Sequence, residues 1–133
     1  MKVTVIDGQG GRIGRQVIEG IKAAGINAEI TAVGTNSIAT SAMLKGGADN
    51  AATGENAVAV NARRADVIIG PIGIVIADSL YGEITPAMAA AVGQSEAVKL
   101  LLPINQCSNI VVGVGDLSIG ALINEAIEHL RLL

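Results

Sequence analysis

The residues best placed to do chemistry stand in positions 3–16, VTVIDGQGGRIGRQ. An apolar run ends at Asp7, and Gly8, Gly10, Gly11 and Gly14 lead into a helical pattern. A phosphate needs free N–H donors, close access to the backbone and some positive charge. A glycine turn opening a helix supplies all three. In the dinucleotide fingerprint G-x-G-x-x-G, Gly8 and Gly10 match the first two positions, but Ile13 stands where the third is expected. Gly14 gives a G-x-G-x-x-x-G spacing instead. Gly8 then allows the tight turn, Gly10 and Gly11 leave room for a phosphate, and Gly14 lets the helix pack closely. Arg12 offers a charge-assisted contact. The expected cradle is Asp7, Gly8, Gln9, Gly10, Gly11, Arg12 and Ile13. The plainer reading is a close strand–helix turn with no ligand.

Two features shape the ligand. Asp7 puts a carboxylate just before the loop, either to tie down glycine amides or to meet a metal ion beside a phosphate. An NAD site wants an acid at the end of the second strand, where this chain has Gly34, Thr35 and Asn36, with Glu29 too early. NAD is therefore not specified. Thr35, Asn36 or Ser37 can bond a ribose or a 2′-phosphate, which leaves NADP or another nucleotide open as the cofactor. A second glycine loop, Gly70, Pro71, Ile72 and Gly73, ends the fourth strand. If strands one and four are neighbours, both loops open into one crevice, where sheets of this type bind ligands.

Other candidates have ordinary readings. Cys107 lacks a base fixed by spacing, since the one histidine, His129, sits on the last helix four residues after Glu125. Tyr81 has Thr85, not lysine, four residues on, so it reads as an anchor in an interface or over the cleft. Asp78 and Glu83 flank a glycine turn and a helix start, which favours capping or solvation over paired carboxylates. Asn56, Asn61, Asn105 and Gln106 are further polar groups expected near strand ends. Metal-ligand spacing and a Walker lysine are both absent.

The elements that must hold these residues read as alternating strand and helix. Strands are expected at residues 2–6, 29–34, 48–53, 66–70, 97–103 and 110–114. Helices are expected near 11–24, 37–45 and 55–65, from Pro86 to Gln94, and after Asp116 as the last cap. Ile13, Val17 and Ile21 recur every four residues, an amphipathic helix signature. Residues 71–84 read equally as a buried helix or as strand plus loop. This alternation implies a three-layer α/β fold, doubly wound and mostly parallel: Rossmann-like with strand order 3-2-1-4-5-6, or else flavodoxin-like.

The bulk properties set bounds. The 133 residues suit one domain spanning 1–133. Half are hydrophobic, Tyr81 is the only aromatic, and the net charge is −3. No basic patch interleaved with aromatics suggests nucleic acid. The longest apolar stretch, residues 67–77, is too short to span a bilayer. A lone cysteine and a strand pattern starting at the N-terminus fit a cytoplasmic protein. A charged fraction of 16% leaves apolar surface that predicts a homodimer.

Several stretches together cover nearly the whole chain: IDGQGGRIG, GTNSIATSAMLKGGA, ATGENA, GPIGIVIA, GEITPAMA and LPINQC. In these the chain resembles an uncharacterised bacterial family, domain of unknown function 3842. The resemblance implies a nucleotide-binding label and carries no established activity. The expectation from the residues is a small protein that binds a nucleotide or other phosphate-bearing metabolite. The alternatives are a non-catalytic sensor acting through a dimer surface, or an NADP-dependent reductase-like enzyme.

Overall fold

The computed structural model describes residues 1–104 and 108–133. Asn105, Gln106 and Cys107 lie outside the described residues, so the expectations for them receive no structural account. Five parallel strands are hydrogen-bonded in the order β3-β2-β1-β4-β5. They are β1 Lys2–Asp7, β2 Glu29–Gly34, β3 Asn50–Thr53, β4 Val67–Pro71 and β5 Val98–Leu102. The helices are α1 Arg12–Ala23, α2 Ser37–Lys45, α3 Glu55–Arg64, α4 Pro86–Gln94 and α5 Ile119–Arg131. The strand order is the Rossmann-like one through its first five places.

Burial on both sheet faces explains the unbroken apolar strands. Successive side chains of β1 point to opposite faces. Val3 and Val5 enter a core with Val17, Ile18 and Ile21 of α1 and Ile123, Ile127 and Leu130 of α5. Ile6 enters the other core with Val58 of α3 and Met88 and Val92 of α4. Burying one such aliphatic side chain contributes about 1.5–3 kcal/mol. A compact three-layer sandwich therefore needs few aromatics.

Local signals fix most boundaries. Asn36 caps α2 by accepting from the Ala39 amide at 2.9 Å, and Thr85 caps α4 by accepting from Met88 at 3.1 Å with Pro86 next. Gly25, φ 68°, closes α1. The last cap is not Asp116: Ser118 accepts from the Ala121 amide at 3.1 Å and starts α5.

The expected sixth strand does not form. Residues 110–114 are irregular, with Ile110 and Val112 87% and 93% exposed. Gly113 has φ 90°, and the Val114 amide donates to the Val111 carbonyl across a turn. A short apolar run does not by itself distinguish strand from loop, and here a turn interrupts it. Beyond Pro71, the last residue of β4, residues 72–84 are neither a helix of length nor a strand. A single 3-10 turn, Ile72–Val75, is followed by consecutive turns up to α4.

Candidate functional site

The β1–α1 turn lies at the C-terminal end of the sheet, between neighbours β2 and β4. That is the point where the chain's winding direction reverses, the crevice position of such sheets. Asp7 through Ile13, with Leu80, Ile104 and Ile119, line a cleft of about 410 Å³. The expected cradle residues therefore share one cavity.

Each glycine has a different reason. A Cβ at Gly8 would lie 2.7 Å from the Thr35 hydroxyl and 3.1 Å from Glu83. Gly11 has φ 72°, and its Cβ would meet the Ala39 backbone at 2.6 Å. Gly14 allows Met43 to pack at a distance no Cβ would tolerate. Gly10 alone is explained by neither: its φ is not positive, and a Cβ there meets nothing within 4 Å.

Asp7 answers the question of the loop's amides directly. Its Oδ1 accepts from the Gly8 amide and its Oδ2 from the Gly14 amide, both at 2.8 Å. It is 5% exposed, and among the described residues it is the buried side chain that carries a formal charge. Burial pushes its pKa above 3.8; the amides of Gly14, Gly8 and Ile13 oppose that rise, and the nearby Glu83 carboxylate adds to it. The Gly11 amide turns inward to the Gly8 carbonyl at 2.9 Å. The amides of Gly10 and Arg12 have no partner among the described residues. Two amide donors and the exposed Arg12 guanidinium are thus without an internal partner among the described residues, fewer than the glycine count suggests.

The end of β2 joins this turn. Gly34 pairs in register with Asp7, the Thr35 amide donates to the Asp7 carbonyl at 3.1 Å, and the Asn36 side chain donates to the Gln9 carbonyl at 3.0 Å. All three lie against the glycine turn. Gly70, Pro71 and Gly73 sit beside β1 but are buried structural positions. A Cβ at Gly70 would strike the Ile6 carbonyl at 2.4 Å, and one at Gly73 would lie 2.9 Å from the Ser79 hydroxyl. Ile72 faces a separate groove beside β5.

Glu83 is the site residue that spacing does not reveal. Its Oε1 accepts from the Gln9 amide at 2.9 Å, the Thr35 hydroxyl at 2.6 Å and the Asn36 side-chain amide at 2.7 Å. Burial would raise its pKa, but these donors, Thr35 foremost, hold it below 4.5. The strongest available hint was its place beside Gly82 just before the Thr85 cap. What carries it to the crevice is a left-handed turn: φ is 66° at Asp78, 56° at Leu80, 57° at Tyr81 and 87° at Gly82. Asp78 is exposed and takes no part, so the two acids are not a pair. Tyr81 is 99% exposed and does not line the cleft. Asn61 donates to the Ala57 carbonyl and lines a pocket with Lys2 and Glu29, at the other end of the strands. Among the described residues no group of three metal-ligating side chains gathers.

Parallel strands in this order, with a glycine turn at the switch point, define a Rossmann-like protein. The model of a domain of unknown function (DUF3842) matches residues 2–132, and the chain belongs to that family. No curated protein matches it. Among solved structures it is similar to a dodecameric FMN-dependent Ubix-like decarboxylase from Escherichia coli O157:H7, with 13% identity, 97% of this chain and 91% of the other covered, and a TM-score of 0.46. So distant a likeness bears on neither ligand nor reaction. Among the described residues no helix is long and apolar enough to cross a membrane.

Proposed function

We propose that the protein binds a small phosphate-bearing metabolite of the nucleotide class, with its phosphate at Gly10. The observation that carries this reading is Gly10 itself. It is the one glycine of the turn that neither conformation nor packing requires, and it opens on the cleft beside two free amides and the Arg12 guanidinium. The cleft volume falls within the usual range for small-ligand sites, about 300–1,000 Å³. Asp7 serves the cradle by holding the Gly8 and Gly14 amides, which shapes the turn before any ligand arrives. Its described lining offers no His, Cys, Lys or Tyr side chain, which favours binding over catalysis.

The test uses Gly10→Val. Because a Cβ at this position meets nothing within 4 Å, the variant should unfold within about 1 kcal/mol of the native chain. It should nevertheless bind ligand at least about tenfold more weakly, a loss of 1.4 kcal/mol. Binding is measured by thermal shift and calorimetry with NAD(H), NADP(H), ATP, GTP, FAD and sugar phosphates. Unchanged affinity in the folded variant overturns the assignment, as does a native chain that none of these stabilises at millimolar concentration.

We also propose a homodimer. Strand β5 ends the sheet with an unpaired edge, and Val98, Ile110, Val112 and Leu117 are exposed. An edge strand with apolar neighbours is a surface that chains usually cover.

A further inference from the structure

We propose that Glu83 selects a ligand whose ribose carries free 2′ and 3′ hydroxyls and rejects one bearing a 2′-phosphate. This deepens the nucleotide reading above and rests on it. In sheets of this topology an acid at the end of β2 receives the ribose hydroxyls. In this chain Gly34, Thr35 and Asn36 occupy that end, and the sequence around them holds no such acid. The fold supplies one from elsewhere. The Glu83 carboxylate lies 2.6 Å from the Thr35 hydroxyl and 2.7 Å from the Asn36 side chain, against the two residues that follow β2.

Three donors take Oε1, whereas Oε2 has no hydrogen bond among the described residues. An ionised carboxylate with a free oxygen accepts from a hydroxyl and repels a phosphate. Its third donor, the Gln9 amide, belongs to the residue before Gly10. Consecutive Cα atoms are about 3.8 Å apart, so the carboxylate and the phosphate opening lie within reach of one nucleoside phosphate.

The carboxylate is also held firmly. Asp78, Leu80 and Tyr81 adopt left-handed backbone conformations, which are unfavourable for residues that carry a side chain. The Asp78 amide donates to the Ile84 carbonyl at 2.7 Å, Gly82 donates back to Asp78 at 3.1 Å, and Leu80 is buried against Gly8. A turn kept in this conformation by its neighbours presents Glu83 at a fixed position.

The experiment compares NAD⁺ with NADP⁺, and AMP with adenosine 2′,5′-bisphosphate, by calorimetry on the full chain; the members of each pair differ only by the 2′-phosphate. The native protein should prefer the member of each pair without the 2′-phosphate by at least about tenfold, as for loss of one charge-assisted hydrogen bond. Glu83→Gln, its fold checked by unliganded thermal unfolding, should weaken NAD⁺ and abolish the preference. The native ratios need no variant, so a misfolded Glu83→Gln leaves the proposal exposed to them. Equal affinities, or preference for the 2′-phosphate, overturn it. Tighter binding of both nucleotides by Glu83→Gln also overturns it, making Glu83 a plug that ligand must displace. Binding of a sugar phosphate but of neither nucleotide pair overturns this inference and leaves the phosphate site standing. If nothing phosphate-bearing binds, both fall.

Discussion

Asp7 and Glu83 face one another across the glycine turn, and they respond to pH with opposite signs. The folded pKa of Asp7 is raised above 3.8. Its contribution is therefore full below 3.8 and declines as pH rises through the folded value. Glu83 is held below 4.5 by its three donors. Its contribution is present above 4.5 and is lost as pH falls through its folded value. Urea midpoints measured across acidic pH should show a shallower acid loss in Glu83→Gln than in the native chain. An identical acid limb in both would mean that the three bonds to Oε1 do not favour the ionised form in solution. Of this pair, Asp7 was legible, because a carboxylate just ahead of four glycines invites the role of tying amides. Glu83 was not, because 74 residues separate it from Gln9 and nothing local to it encodes the contact.

At the scale of elements, the turn holds β1, α1 and α2 together through glycines that cannot be replaced alike. Gly11→Ala forces a side chain into a left-handed residue and onto the Ala39 backbone. It should destabilise the protein by roughly 2 kcal/mol or more. Gly10→Ala, one residue earlier, should cost under about 1 kcal/mol by the same urea measurement. Equal losses would show that the turn has a different backbone from the one described. Thr85→Ala removes the Met88 acceptor at the start of α4 and should cost about 1 kcal/mol. These elements were readable because their signals are local: a four-residue apolar period for α1, Asn36 and Thr85-Pro86 as caps, Gly25 as a stop. The segment 71–84 was not, since three of its left-handed residues, Asp78, Leu80 and Tyr81, are not glycine. Neighbouring bonds and the burial of Leu80 impose that conformation against local preference.

For the whole molecule, the open edge of β5 and the apolar residues beyond it set the expectation about assembly. Sedimentation at tens of micromolar should give twice the 13.4 kDa chain mass. Val112→Glu, placed at a residue 93% exposed, should shift the native dimer toward monomer because burying a carboxylate in an apolar interface is unfavourable. A native monomer would refute the dimer, and a dimer untouched by Val112→Glu would place its interface elsewhere.

By itself the sequence determined the layered parallel architecture, while the choice between a Rossmann-like and a flavodoxin-like strand order was made by the tertiary structure. Strands buried on both faces must be apolar throughout, and helices between them must show one apolar stripe. It also determined the position of the glycine turn, since a chain leaving a buried strand for a closely packed helix has few alternatives to glycine. Only the tertiary structure decided which amides of the turn stay without an internal partner, because Asp7 and the Gly8 carbonyl take their share through folding. Only the tertiary structure brought Glu83 to the end of β2 and left residues 110–114 out of the sheet. Those outcomes depend on contacts between segments far apart in sequence, and such contacts leave no period or spacing to read.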